Sequence, residues 1–276
     1  MLLYSNKVIL MNIKYIVLVI FPFLVFACSN NEKFPELISE KIPVETLTIN
    51  ESFQMKKPLQ TDSVIEFISD DLPDELIKMK DLYELKDDYF DLQKMELFWN
   101  DVRNMNGVFS KSGIKNWISA TGFLFEITAK EIYAAELERI QYEPNYESGD
   151  GVQDDLALLL EPYIFTRNTD FFHINLFANA SFEFEHSLFG KIKITQETKY
   201  PNSGDVILTI NTEKKRYMEI FVRIPDWADG ATVTVNNVKF FAPTGDYCQI
   251  AKNWENGDMA EIHFPEEKMP VYLKNY

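Results

Sequence analysis

The chain has 276 residues, of which 46% are hydrophobic and 14% aromatic, so its length suits about two domains with a sizeable core. Its formal net charge of −16 argues against nucleic acid as a partner, because binding a phosphate backbone needs clustered Lys and Arg. The two cysteines, Cys28 and Cys248, form no CxxC motif and no Cys/His pair at zinc-ligand spacing. A single disulfide between them stays open at this point.

The N-terminal segment is typical of a bacterial lipoprotein signal. Lys14 precedes an apolar run at residues 15–27, which suits a signal-peptide core and is too short to span a bilayer. The run ends in VFAC at residues 25–28, which resembles a lipobox, with Cys28 as the lipidated residue. Ser29 at the next position is similar to signals for the outer membrane. We therefore expect a signal peptide over residues 1–27 and a lipid anchor in the bacterial cell envelope; the alternative is a buried or membrane-spanning helix.

The next two segments differ in their pattern. Residues 28–71 contain scattered prolines and no sustained period, which predicts a tether and an irregular arm. From residue 72 to 162 the pattern is helical, and apolar positions recur every three or four residues over 74–99. This predicts one helix, or two with a break near Asp87 and Asp88. Further helices are expected at residues 115–127, 128–141 and 155–162; the second of these opens with a predicted capping box of Thr128 and Glu131.

The remainder of the chain, residues 163–276, reads as a succession of strands. Ten short strands separated by Gly, Asn and Pro turns predict an antiparallel β-sandwich. In the strand at residues 216–224, alternate apolar residues lie on one face, while Glu219 and Arg223 lie on the other, as in a half-buried strand. The strands are expected at residues 163–167, 171–177, 182–185, 192–198, 206–211, 216–224, 231–235, 238–241, 247–251 and 259–264.

Four motifs carry a resemblance to a known family. The runs RIPDWADGATVTVN at residues 223–236 and NWENGD at 253–258 resemble a β-sandwich of glycoside hydrolase family 127, the β-L-arabinofuranosidase family. The runs LFWND at 97–101 and ITAKEIYAAELER at 127–139 are similar to two helices of that family's (α/α)6 catalytic barrel. The resemblance covers residues 94–270 and lacks most of the barrel. It implies an α+β multidomain protein, in which a partial remnant of the α-helical barrel is followed by an antiparallel β-sandwich.

The resemblance also implies a catalytic mechanism, whose residues are missing here. In the family a zinc-bound cysteine is the nucleophile and a glutamate is the acid/base, from a Glu-x-Cys motif and a Cys-Cys pair. Residues 107–120 contain no Glu and no Cys, and residues 147–155 contain no Cys. Cys28 belongs to the lipobox and Cys248 to a predicted strand. We therefore expect no cofactor, no zinc site, no catalytic residues and a pseudoenzyme, although a non-family pair of carboxylates would leave residual glycosidase activity open.

Aromatic residues of the sandwich are the candidate ligand-binding groups. Trp254, Tyr247 and Trp227 could stack on a sugar, but both tryptophans belong to the family's sandwich pattern, which favours packing. His173 and His263 are interpreted as edge or outward-facing strand residues. A metal site at His186, which follows two acidic residues, has little support. Adjacent acidic pairs such as Asp154-Asp155 are interpreted as solvated surface.

Three functions remain open from the sequence. The first is a degenerate member of the arabinofuranosidase family, lipid-anchored in the outer membrane and inactive as a glycosidase. The second is a carbohydrate-binding accessory lipoprotein, whose partner would be a plant-type or surface glycan. The third is a structural or interaction module at the membrane.

Overall fold

The computed structural model describes residues 40–41, 47–49, 67–86, 89–105, 107–143, 146, 152–168, 171–186 and 190–274. The predicted signal peptide, the lipobox with Cys28 and most of the predicted tether lie outside these residues, as do Asp87 and Asp88. Within the described part of the chain, no helix combines the length and the apolar character needed to cross a membrane.

Helices dominate the first part of the described chain, as expected. They are α1 (Asp71–Lys86), α2 (Tyr89–Arg103), α3 (Lys111–Thr128), α4 (Glu131–Tyr142) and α5 (Val152–Leu160). A short helix α6 (Val271–Lys274) follows the last strand. The periodic stretch at residues 74–99 thus belongs to two helices, in agreement with the alternative of a break. A turn of 3-10 helix, Glu161–Tyr163, follows α5 and contains the proline that was predicted to stop it.

The predicted capping box at the start of α4 is wrong. Thr128 is the last residue of α3, and its hydroxyl donates to the carbonyl of Leu124 at 2.7 Å. Ala129 then takes a left-handed conformation with φ of 49°, and its backbone N–H bonds the carbonyl of Phe125, which ends α3. Because Thr128 is used in α3, the cap position of α4 falls to Lys130, which makes no side-chain capping bond, and Glu131 is free to point elsewhere.

All ten strands predicted after residue 162 are present. The described strands are β1 (Glu40–Lys41), β2 (Leu47–Ile49), β3 (Phe67–Ile68), β4 (Val108–Phe109), β5 (Phe165–Asn168), β6 (Phe171–Ile174), β7 (Ala180–His186), β8 (Gly190–Thr198), β9 (Asp205–Thr212), β10 (Arg216–Ile224), β11 (Thr232–Val235), β12 (Val238–Phe241), β13 (Asp246–Trp254) and β14 (Asp258–His263). One sheet has the order β1-β5-β6-β10-β13 and another the order β12-β11-β14-β9-β8-β7-β2, while β3 and β4 form a separate pair. The α+β class is confirmed.

The pairing is antiparallel almost throughout the two large sheets. The exception is β6 with β10, which are parallel, with Phe171 opposite Glu219. Between these two strands the chain builds β7, β8 and β9 in the other sheet, so that it re-enters the first sheet in the same direction. The expectation of a purely antiparallel sandwich is therefore corrected at this one pair.

The two large sheets pack face to face through aromatic side chains. Phe172 of β6 lies 5.8 Å from Phe182 and 5.3 Å from Phe184, both of β7, measured between ring centroids. Phe165 of β5 contacts Phe182 at 5.0 Å. Such rings remove large apolar areas from water, at about 25 cal/mol for each Å² buried, so this layer is a main source of stability.

The helices cover one end of the opposite face of the five-stranded sheet. The ring of Phe125 in α3 lies 6.4 Å from that of Tyr247 in β13. Arg223 of β10, which the alternation placed on a solvent-facing side, is completely buried under α4. The pattern of one strand cannot reveal this, because the covering helix lies almost a hundred residues earlier in the chain.

A glycine in α3 marks a close contact between the helices and the start of the sheet region. A Cβ atom on Gly122 would lie 2.1 Å from the hydroxyl oxygen of Tyr163, which itself donates to Glu126 at 3.1 Å. We expect Gly122→Ala to destabilise the protein by about 1–3 kcal/mol, because overpacking outweighs the gain in helix propensity of about 1 kcal/mol. Urea denaturation measures this difference in the free energy of unfolding.

Repeating the substitution in a variant that lacks the Tyr163 ring separates the steric contact from the change in helix propensity. In Tyr163→Leu the ring that blocks the Cβ is gone, so adding Gly122→Ala there should cost much less than in the parent protein. An alanine variant that is as stable as the parent would contradict the described contact.

Candidate functional site

The most concentrated polar chemistry inside the described part of the chain lies on helix α4. Glu131, Glu136 and Glu138 are buried, with 9%, 0% and 2% of their surfaces exposed. Glu131 and Glu138 are seven residues apart and therefore share one helix face, whereas Glu136 points to another. Buried carboxylates need partners, so these three residues define the candidate site.

Arg223 of β10 joins the two glutamates on the sheet side of α4. Its Nη1 donates to Oε1 of Glu131 at 3.0 Å, and its Nη2 donates to Oε1 of Glu138. The remaining nitrogen, Nε, donates to the backbone carbonyl of Asn175 at 2.7 Å. Two guanidinium nitrogens thus connect the helix to the sheet, and the third bonds the segment directly after β6.

Two tyrosines complete this network from the sheet side. The hydroxyl of Tyr200 donates to Oε1 of Glu138 at 2.9 Å, and that of Tyr247 donates to the side-chain oxygen of Asn175 at 2.8 Å. Burial raises the pKa of both tyrosines above their usual range. They therefore stay protonated and act as hydrogen-bond donors at neutral pH.

The electrostatics of the network follow from two carboxylates sharing one guanidinium. Burial raises the pKa of Glu131, while the charge and hydrogen bond of Arg223 act in the opposite direction. Burial alone would lower the pKa of Arg223, but Glu138 and Glu131 raise it. A general acid or base must reach its substrate, and Glu138 is 2% exposed with its carboxylate already bonded. This arrangement suits a structural joint between α4 and the sheet.

Glu136 forms a separate network within the helical region. Its carboxylate accepts a hydrogen bond from the indole of Trp117 at 2.8 Å and two from Arg139 at 2.8 and 2.7 Å. Arg103 adds a longer contact of 3.4 Å from α2. Glu136 thus connects α2, α3 and α4 and is also fully used in packing.

The remaining cysteine does not fit the zinc-bound thiolate that the family resemblance implies. Cys248 lies in β13, as predicted, opposite Val222 of β10, and is 4% exposed. Burial raises the pKa of its thiol, whereas a nucleophilic cysteine needs a lowered pKa. In the described ranges, no three His, Cys, Asp or Glu side chains come together in a way that could hold a metal ion.

The three candidate sugar-stacking residues lie in different surroundings. Trp254 is fully buried and its indole donates to the carbonyl of Met218 at 3.1 Å, so it presents no ring face to a sugar. Trp227 is partly buried and its ring lies 5.9 Å from that of Phe264. Tyr247 is committed to the network described above. The structure does not bring the three rings together into one platform.

The exposure of the histidines and acidic pairs agrees only in part with the prediction from the sequence. The interpretation of His173 as an edge or outward-facing residue is wrong. It is 6% exposed, because β6 lies between β5 and β10 and the rings of Phe221 and Tyr247 pack against the imidazole. His263 is exposed, and its Nδ1 lies 2.7 Å from Asp205 Oδ1. The side chain of His186 lies outside the described residues. Asp155 lies on the surface and binds Lys115 at 2.9 Å.

The buried imidazole of His173 predicts a loss of stability in acid. Its ring stacks on Phe221 at 4.9 Å, and burial lowers its pKa to about 4. Because the unfolded chain binds this proton near the usual pKa of about 6.5, stability from this residue is full above that pH and falls as pH drops toward 4. The shift corresponds to about 3 kcal/mol. Chemical denaturation between pH 7 and 4 should show this loss in the free energy of unfolding, and the loss should be smaller in His173→Phe. If the free energy of unfolding falls equally steeply with pH in both proteins, His173 is not the group responsible.

Residues 172–266 match the family model described as Beta-L-arabinofuranosidase, GH127 middle domain. The sheet region resembles a GH127 middle domain. A comparison with the curated proteins finds no match.

Several solved structures are similar as well. A GH127 β-L-arabinofuranosidase from Geobacillus stearothermophilus T6 is 23% identical, covers 58% of this chain and 32% of its own, and has a TM-score of 0.49. Another GH127 β-arabinofuranosidase is 20% identical, covers 59% of this chain and 33% of its own, and also has a TM-score of 0.49. The chain thus spans about a third of the length of these structures.

The GH127-like segment supplies the sheet side of the buried network. Asn175, Tyr200, Arg223 and Tyr247 all lie within the matched residues, whereas α4 lies before them. This network was not predicted from the sequence, although two signals were present. One was Arg223, whose chain neighbours Val222 and Ile224 are apolar, and the other was a pair of glutamates seven residues apart on a helix.

Proposed function

We propose that this protein is a degenerate relative of the GH127 β-L-arabinofuranosidases, anchored by lipid in the bacterial envelope and inactive as a glycosidase. In this proposal, the helices at residues 72–162 are a remnant of the catalytic barrel, retained as a support for the GH127-like sheets. The match of residues 172–266 supports the lineage. The observation that carries the proposal is that Arg223 binds both glutamates on the sheet side of α4.

The buried carboxylates of α4 are bonded within the protein, and this limits their use in glycoside hydrolysis. Glycoside hydrolysis needs one carboxyl group that gives a proton and another group that attacks or activates water, both within reach of the sugar. Glu131 and Glu138 are bonded to Arg223, and Glu136 to Trp117 and two arginines. The helix that resembles part of a catalytic barrel therefore uses its buried acids to hold the fold together.

The anchoring part of the proposal rests on the lipobox-like VFAC at residues 25–28. A lipid on Cys28 would hold the sheets near a membrane surface without a spanning helix. Ser29 is the reason for proposing the outer membrane as the location.

Zinc content and thiol reactivity test the loss of the zinc–thiolate site. The protein purified without chelator should retain no stoichiometric zinc, and Cys248 should react with a thiol reagent only after unfolding. One equivalent of bound zinc that is lost in Cys248→Ser would overturn this part of the proposal. Cys28→Ser serves as the matched control, since it removes the other cysteine and leaves Cys248 in place.

A further inference from the structure

A polar groove lies on the outer face of the seven-stranded sheet, away from the buried network. Its volume is about 490 Å³, within the range of small-molecule sites. Strands β7, β8 and β9 and the turn after β13 form its floor and one wall. The side chains that line it and are used below are Glu183, Lys191, Lys193, Asn211, Glu213 and Asn256.

The strand register explains why these groups converge. Glu183 of β7 lies opposite Lys193 of β8, and Lys193 lies opposite Asn211 of β9, so the three form one row across the sheet. Ile192 and Ile194 are fully buried, which places their odd-numbered neighbours on the outer face. The groove floor is therefore a fixed row of polar side chains on paired strands.

Some of these groups already have partners and others do not. Lys191 pairs with Glu183 at 3.1 Å, and the amide of Asn211 donates to Asn256 at 3.2 Å. Among the residues that the structure describes, neither Lys193 nor Glu213 has an ion pair or a side-chain hydrogen bond. Lys193 is thus a donor group without an ion pair, and Glu213 is an acceptor group whose charge acts on Lys191 without a hydrogen bond to it.

The charges and shape of the groove select a chemical class of ligand. Two lysines and two glutamates cancel, so neither an anion nor a cation is favoured by net charge. The lining contains no aromatic or large aliphatic side chain, which disfavours an apolar ligand. A neutral molecule with many hydroxyl groups can both accept from ammonium and amide donors and donate to carboxylates.

We propose that this groove binds a neutral oligosaccharide. Lys193 and Glu213 hydrogen-bond its hydroxyl groups, and Asn211 and Asn256 provide further donors and acceptors. This binding goes beyond the proposed function and does not depend on whether the protein hydrolyses glycosides. Because the site is open and no ring stacks on the sugar, we expect a dissociation constant on the order of 1 mM.

Ligand-observed NMR titration of the purified mature protein, from Cys28 onward, tests the proposal at this affinity. The probe is a neutral arabino-oligosaccharide, and an oligogalacturonate of similar length is the anionic comparison. We expect saturation transfer to the neutral sugar only. The double variant Lys193→Met, Glu213→Gln should weaken binding at least tenfold, whereas Lys239→Met, on exposed strand β12, should leave it unchanged.

Loss of binding can be distinguished from loss of folding, because all three substituted residues are exposed and their replacement should preserve the fold. Circular dichroism on the same samples checks this. Absence of binding by the parent protein, binding that is equal in the double variant, or preference for the anionic sugar would each overturn the proposal. A hydrolysed probe would contradict the proposed function and leave the groove to be judged by the variants alone.

Discussion

Replacing Arg223 with methionine is expected to lower the free energy of unfolding by about 3–5 kcal/mol, because it leaves buried carboxylates without their counter-charge. Glu138 and Glu131 lose their ion pairs, and the carbonyl of Asn175 loses a donor. Methionine keeps most of the side-chain volume, so the cost arises from charge rather than from a cavity. In thermal denaturation the midpoint should fall by roughly 6–20 °C.

Matched variants separate this effect from a general sensitivity of the strand. Lys239→Met removes a cation from exposed strand β12 and should change stability by less than about 0.5 kcal/mol. Adding Glu131→Gln and Glu138→Gln to Arg223→Met should recover part of the loss, since neutral amides are less costly to bury than carboxylates. A methionine variant within 1 kcal/mol of the parent would contradict the joint between α4 and the sheet.

Replacing Cys28 with serine is expected to abolish lipid labelling of the protein. The lipobox-like sequence makes this thiol the acceptor, and a hydroxyl cannot take its place. Stable membrane attachment of a lipoprotein needs more than one acyl chain, so losing the acceptor removes the whole anchor. The measurement is incorporation of radiolabelled palmitate in a bacterial host, followed by mass spectrometry of the N-terminal peptide.

The other cysteine provides the control for this experiment. Cys248 is buried in β13, so Cys248→Ser should be labelled as strongly as the parent. Labelling that persists in Cys28→Ser, or an N-terminus that retains the apolar run at residues 15–27 in the parent, would contradict the proposed anchor.

Local patterns were enough to predict the ten strands after residue 162. They did not predict β1 and β2, which lie in the segment expected to be an irregular arm and add one edge strand to each large sheet. Strands such as β10 and β12 have the predicted bounds, because alternation and turn residues are local properties of the sequence. The parallel pairing of β6 with β10 could not be predicted in this way. It depends on which sheet the intervening strands join, and no short stretch of sequence encodes that choice.

The polar interior was harder to predict for a related reason. Arg223 and His173 lie on strand faces that alternate as if exposed, and both are buried. Helix α4 covers Arg223, and rings from β10 and β13 cover His173. Thr128 and Glu131 fitted a capping box, but the longer-range bond of Glu131 to Arg223 replaced the local one. Local rules failed at the residues where distant segments meet.

The relation to the GH127 family and the proposed absence of glycosidase activity rest on different parts of the chain. The family match covers residues 172–266, which include the buried arginine but none of the helical region. The catalytic part of the proposal depends on the helical region, through the committed glutamates of α4 and the missing cysteine motifs.

Hydrolysis of a chromogenic β-L-arabinofuranoside by the purified mature protein, with and without added zinc, tests whether the protein is inactive as a glycosidase. A GH127 β-L-arabinofuranosidase assayed in parallel shows that the substrate and buffer support turnover. We expect no release of chromophore above the enzyme-free rate at any zinc concentration. Zinc-dependent release that is lost in Cys248→Ser, or release that is lost in Glu138→Gln while the fold is retained, would contradict it.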